Sequence, residues 1–140
     1  MGALGLRSLS AARSRPKALI VFVAAQFRSD YLDRFADGFS GAGFRRLMDE
    51  GAFFPDCQMA CASFTSSGLA TISAGCYPQN HGIAADFWYD RAARAPAPAT
   101  HVSLDATTLA DQVLDDDSKN RVFSFGFDFE RAALTATCNR

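Results

Sequence analysis

Residues 18–25, ALIVFVAA, form an unbroken apolar run rich in branched side chains. With no polar position on either face, the run predicts a strand buried on both sides, as at the centre of a parallel sheet. It is also too short to cross a bilayer as a helix. The pattern then changes to helical spacing. Ser29 reads as an N-cap, Tyr31, Leu32 and Phe35 follow, and the element ends near Gly38. Phe44, Leu47 and Met48 repeat that spacing, with Arg45, Arg46, Asp49 and Glu50 facing water and Gly51 closing the helix. Residues 53–62 read as an extended, partly buried segment that delivers the chain to Thr65. A helix over 66–74 comes next, with Leu69, Ile72 and Ala74 as its apolar positions and Gly75 as its stop. A Pro78/His81-Gly82 loop leads to the cluster Phe87-Trp88-Tyr89. Residues 91–101, RAARAPAPATH, read as an exposed loop or extended crossing segment. A helix is expected over 107–114, with Leu109, Val113 and Leu114 inward and Asp115-Asp116-Asp117 at its end. Residues 121–127, RVFSFGF, read as a second buried strand, and residues 130–134 begin a last helix.

Strands alternating with helices predict an α/β fold, a mostly parallel sheet with helices on both faces. Sites in such sheets lie beyond the carboxyl ends of the strands. Ala25-Gln26, the segment before Thr65, and the end of 121–127 should therefore meet.

Composition narrows the class. The chain has 140 residues, enough for one domain or a piece of one, and an apolar fraction of 49% excludes a disordered chain. A net charge of −1 gives no electrostatic case for nucleic acid or an anionic membrane. Thirteen phenylalanines suggest a packed interior and surface suited to further protein. The four cysteines, Cys57, Cys61, Cys76 and Cys138, contain no C-x-x-C pair and no histidine at zinc-knuckle spacing. Cys57 and Cys61 fall in an apolar run and read as buried thiols. Residues 1–16 read as a loose tail and 17–140 as the folded part. The order of basic residues then apolar run imitates a signal peptide, yet no convincing cleavage site follows.

The chemistry centres on Thr65. A hydroxyl at the start of a helix faces unpaired N–H groups and the positive end of the helix dipole, where phosphate binds. Thr65 thus reads as a nucleophile or phosphate-cradling residue, and the plainer reading makes Thr65 or Ser66 an N-cap. The three acids at 115–117 have no second cluster or EF-hand spacing and read as a solvated turn.

The runs AQFRSDYLDRF, GFRRLMDEGAFF, SFTSSG and SAGCYPQNHGIAADFWYDR together resemble the N-terminal part of the alkaline phosphatase superfamily. They are most similar to the phosphate-irrepressible alkaline phosphatases and the type I phosphodiesterase/nucleotide pyrophosphatases. The similarity runs from about residue 17 to 134 and is most specific over 64–91. It implies an alkaline-phosphatase-like fold cut short and a hydrolase acting on phosphate mono- or diesters of small molecules. In that family two zinc ions serve a Thr or Ser nucleophile through a phospho-enzyme. Thr65 matches the nucleophile, itself a metal ligand there. Asp86 stands where relatives carry an Asn that donates to a phosphate oxygen, and Arg131 matches a phosphoryl-binding Arg. The family is periplasmic or secreted.

The departures from the pattern set further expectations. The strand-one Asp that binds zinc in relatives is Ala25 here, and a methyl group cannot ligate. Asp30, in the next helix, reads as compensation of its dipole. The family's Gly-His is Gly68-Leu69, the Lys expected two before Arg131 is Phe129, and Asp86 exchanges a donor for an acceptor. The other zinc ligands come from later sequence. His81 reads as ordering its loop and His101 as exposed. The chain is expected not to retain the zinc pair, to be catalytically impaired, and to self-associate through an open sheet edge. The alternative is a non-catalytic remnant that binds a phosphate ligand or a protein.

Overall fold

Small residues build the centre of this molecule. The computed structural model describes residues 16–59 and 64–136. Helix α3, Thr65–Ala74, has the sequence TSSGLATISA and buries Ser66, Ser67, Ala70 and Ser73. Short side chains let neighbouring segments approach its axis, and Ile83, Ala99, Leu104 and Leu134 close around Ala70 with Trp88 against them. The polar atoms on the buried face are satisfied rather than excluded. Ser73 Oγ donates to the Leu134 carbonyl at 2.9 Å, tying α3 to the end of the described chain, as burial of a hydroxyl requires. Gly75 ends α3 in the left-handed conformation at φ 65°, its N–H returning to the Thr71 carbonyl.

The elements after α3 wrap this centre. A four-residue helix, α4 (Pro78–His81), leads to an antiparallel pair of strands, β1 (Phe87–Asp90) and β2 (Ala95–Pro98), with Tyr89 opposite Pro96 and Phe87 opposite Pro98. Helix α5, Leu109–Asp116, begins with a reciprocal cap: Thr108 Oγ1 accepts the Asp111 N–H, and the Asp111 carboxylate accepts the Thr108 N–H. Thr108 Oγ1 also donates to the Ala136 carbonyl at 2.8 Å. Helix α6, Phe129–Ala133, is capped by Asp128.

Residues 16–59 are organised differently. Helices α1 (Asp30–Arg34) and α2 (Phe44–Glu50) fall where the spacing placed them, but neither contains a buried residue. A chain of rings links them, with Phe27 stacked on Phe44 at 5.1 Å and set edge-on to Tyr31 at 5.8 Å.

The sheet differs from expectation. Among the described residues the only paired strands are β1 and β2, and they are antiparallel. Residues 18–25 and 121–127 are not paired as strands, and Ile20, Phe22, Phe123 and Phe125 are strongly exposed. Their apolar pattern suits a sheet interior, but without neighbouring strands no ladder forms, 18–25 lies exposed throughout, and in 121–127 only Val122 and Ser124 are half-buried. Residues 91–101, expected to be an exposed loop or an extended crossing segment, are extended over Ala95–Pro98 and supply β2. In a two-stranded ribbon each strand is an edge, so Pro96 and Pro98 are tolerated. The turn between the strands is fixed by the Asp90 carboxylate, which accepts the Ala92 N–H at 2.7 Å. Residues 53–59 are exposed rather than partly buried, and with them Cys57, contrary to the buried thiol expected. Residues 60–62 of that segment, with Cys61, lie outside the described residues, as do Cys138 and residues 1–15 of the tail. Among the described residues no helix is long and apolar enough to cross a membrane.

Candidate functional site

Thr65 is the first residue of α3 and is exposed. The N-cap is Phe64, extended at φ −77° and ψ 148°, with no side-chain oxygen to accept from the first turn. Neither Thr65 nor Ser66 is therefore the cap. The acceptor comes from elsewhere in the chain. Asp86, just before β1, brings Oδ1 to 2.8 Å from the Ser66 nitrogen and accepts its N–H. The Ser66 hydroxyl, then its N–H, the charge of Arg131 and the Thr65 N–H hold the Asp86 carboxyl below its ordinary value, against partial burial, which pushes the other way. Asp86 is thus ionised at neutral pH and fixed across the start of α3.

Arg131 sits on α6, exposed, and its guanidinium pairs with the Asp128 carboxylate. Asp128 also accepts the Arg131 N–H at 2.9 Å. Asp128 escaped the sequence reading, although an Asp three residues before Arg131, at the foot of a helical pattern, is an N-cap signal. Helix α6 packs against α3, and the charge of Arg131 contributes to lowering the Asp86 carboxyl, so the α3 N-terminus, Asp86 and the α6 arginine lie on the same side of the molecule. Ala25 lies in an exposed turn at residues 25–26, where Gln26 takes φ 59°.

The two histidines behave differently. His81 is fully buried. Its Nδ1 accepts the Ile83 N–H at 3.1 Å, so Nε2 carries the proton and donates to Thr71 Oγ1 at 3.0 Å. Burial pushes its pKa down. His81 therefore orders the loop between α4 and β1, as expected. His101 is half-buried rather than exposed, with Nδ1 at 3.1 Å from Glu130 Oε2 and its ring edge-on to Phe129.

These donors do not fit a zinc pair. Both His81 nitrogens are engaged, His101 faces Glu130, residue 25 is a methyl, and no group of three His, Cys, Asp or Glu converges among the described residues. A zinc site needs three or four such ligands on one point. The corner brings together the N–H groups of a helix start, one guanidinium and two carboxylates, of which Asp86 takes the Ser66 N–H and Asp128 pairs with Arg131.

The reaction class comes from comparison with known proteins. The sequence of residues 19–126 matches the family described as type I phosphodiesterase / nucleotide pyrophosphatase, and the chain belongs to that family. It is 33% identical over 91 residues to alkaline phosphatase PafA of Elizabethkingia meningoseptica, covering 64% of this chain and 16% of that protein. To alkaline phosphatase PhoK of a Sphingomonas species it is 35% identical over 82 residues, or 58% of this chain and 14% of the relative. A calcium-transporting ATPase of Myroides odoratus is 37% identical over 71 residues, 50% of this chain and 13% of its own length. The chain thus spans about one sixth or less of these relatives. No solved structure matches it significantly.

Proposed function

We propose that the chain carries part of a phosphoester-hydrolysing site, with Thr65 as the attacking hydroxyl and Asp86 and Arg131 around the phosphoryl group of a small-molecule substrate. The observation that carries this reading is Thr65 itself, exposed on the first turn of α3 beside the carboxylate of Asp86, 20 residues on from Ser66, and the charge of a guanidinium. Family membership supplies the reaction class. In this reading residues 18–25 and 121–127 are strands of a parallel sheet in an alkaline-phosphatase-like fold. An alcohol needs a metal or base to become a useful nucleophile at neutral pH. No donor set for a zinc pair converges among the described residues, so turnover by this chain is slight.

A second reading is favoured by the same mismatch, a helix start and a guanidinium without converging metal donors among the described residues. The chain is then a non-catalytic binder of phosphate ligands. A two-by-two comparison of residues 25 and 65 separates the readings, in a chain extended by the remaining sequence of an alkaline phosphatase relative. Ala25→Asp should yield zinc-dependent hydrolysis, and adding Thr65→Ala should abolish it. Activity that survives alanine at residue 65 removes Thr65 from the chemistry.

A further inference from the structure

The polar surround of Thr65 carries an unusual sign for a place that is to receive phosphate. Asp86 lies across the α3 N-terminus and takes the Ser66 N–H at 2.8 Å. A free N–H at this position would be a phosphate donor. The cation of the corner, Arg131, is itself paired with Asp128. Two carboxylates therefore stand against one guanidinium, and the bonds that hold Asp86 keep it from swinging away. Residues 60–63, which lead into α3, are Ala, Cys, Ala and Ser and add no formal charge.

We propose that Asp86 is a specificity determinant, a fixed carboxylate that disfavours dianionic phosphate monoesters and leaves monoanionic phosphodiesters as the better-bound class. The inference rests on the reading of the Thr65 corner as the phosphoester site. Its logic is discrimination by repulsion: a fixed negative charge penalises a dianion about twice as much as a monoanion, while contacts common to both ligands cancel in the ratio. Asp86 acts here on the ligand's charge, not on the chemistry of Thr65.

The test uses phenyl phosphate and diphenyl phosphate as probes of the full chain near pH 8, where the first is a dianion and the second a monoanion. Affinities are read from the backbone amides of Thr65, Ser66 and Ser67. Asp86→Asn keeps an oxygen for the Ser66 N–H and removes the charge. It should raise the affinity ratio of monoester to diester about fivefold, the Boltzmann factor for one extra unit charge at about 4 Å in water. Asp86→Ala, which loses the Ser66 bond as well, should shift the ratio in the same direction. In the unmodified chain, added salt should narrow the diester preference by screening. An unchanged ratio in Asp86→Asn, with the Thr65 amides responding to both ligands, overturns the role of Asp86 and leaves the anion site standing. If neither ligand moves those amides in any of the three proteins, the reading of the corner as a phosphoester site fails along with it.

Discussion

Residues 16–59 and 64–136 are both helical and rich in apolar residues, yet only the second stretch buries anything. Every buried residue of the described chain lies between Ser66 and Leu134, and the first stretch has none. The difference lies in partners rather than composition. In the second stretch, serines and alanines on α3 leave room for Ile83, Leu104 and Leu134, and hydrogen bonds such as Ser73 to Leu134 lock elements distant in sequence. In the first, local rings and an Arg45 bond to the Ala36 carbonyl hold α1 and α2 to each other. The larger side chains there find no cavity to enter. Apolar residues create stability only where another surface removes them from water.

That contrast can be broken most sharply in the core. Leu134→Ala should cost about 2–5 kcal/mol, the usual range for a fully buried leucine. Leu47→Ala on α2, 67% exposed, should stay within about 0.5 kcal/mol. Urea titrations followed by Trp88 fluorescence compare the two, and similar costs would mean that α2 is as well packed as α3. Next in size is the cap of α5. Thr108→Ala removes the acceptor for the Asp111 N–H and leaves the Ala136 carbonyl unpaired, so about 1–2 kcal/mol should be lost in the same titration.

Exposed apolar residues in the two unpaired segments should drive association instead of stability. Light scattering at tens of micromolar should show oligomers of the parent chain. Phe22→Asp with Phe125→Asp, at positions 82% and 90% exposed, should raise the monomer fraction without lowering the urea midpoint. A parent that remains a compact monomer contradicts this expectation.

The smallest effect expected is one of pH. Burial lowers the His81 pKa in the folded chain, so between its folded and unfolded values the unfolded chain binds more protons. The contribution of His81 is then fully present above the unfolded value, about 6.5, and is lost as pH falls from there toward the lowered folded value. Chemical unfolding at a series of pH values should show this fall, and His81→Gln should flatten it.

Helix starts and stops were legible in the sequence because they depend on near neighbours. Ser29, Gly51 and Gly75 mark boundaries that the structure keeps within a residue or so. The strand at 95–98 was hidden by its prolines, which argue against a sheet interior but not against an edge. Residues 18–25 and 121–127 carry the pattern of buried strands, but the pattern reports only what a segment would do with neighbours. At the site, Thr65 could be singled out from its helix-start position and Asp86 and Arg131 from a resemblance. That Asp86 bonds the Ser66 N–H, and that Asp128 holds Arg131, depend on segments 20 residues apart and on a cap geometry that spacing alone does not give.

If Thr65 acts on phosphoesters, the start of α3 is where the phosphoryl group is held. Titration of the full chain with orthovanadate, followed residue by residue through the backbone amides, tests this most directly. Shifts concentrated at Thr65, Ser66 and Ser67, with Asp86 and Arg131 following and α1 and α2 silent, are the result expected. Vanadate that saturates elsewhere, or leaves Thr65 to Ser67 unmoved while other amides shift, would contradict it.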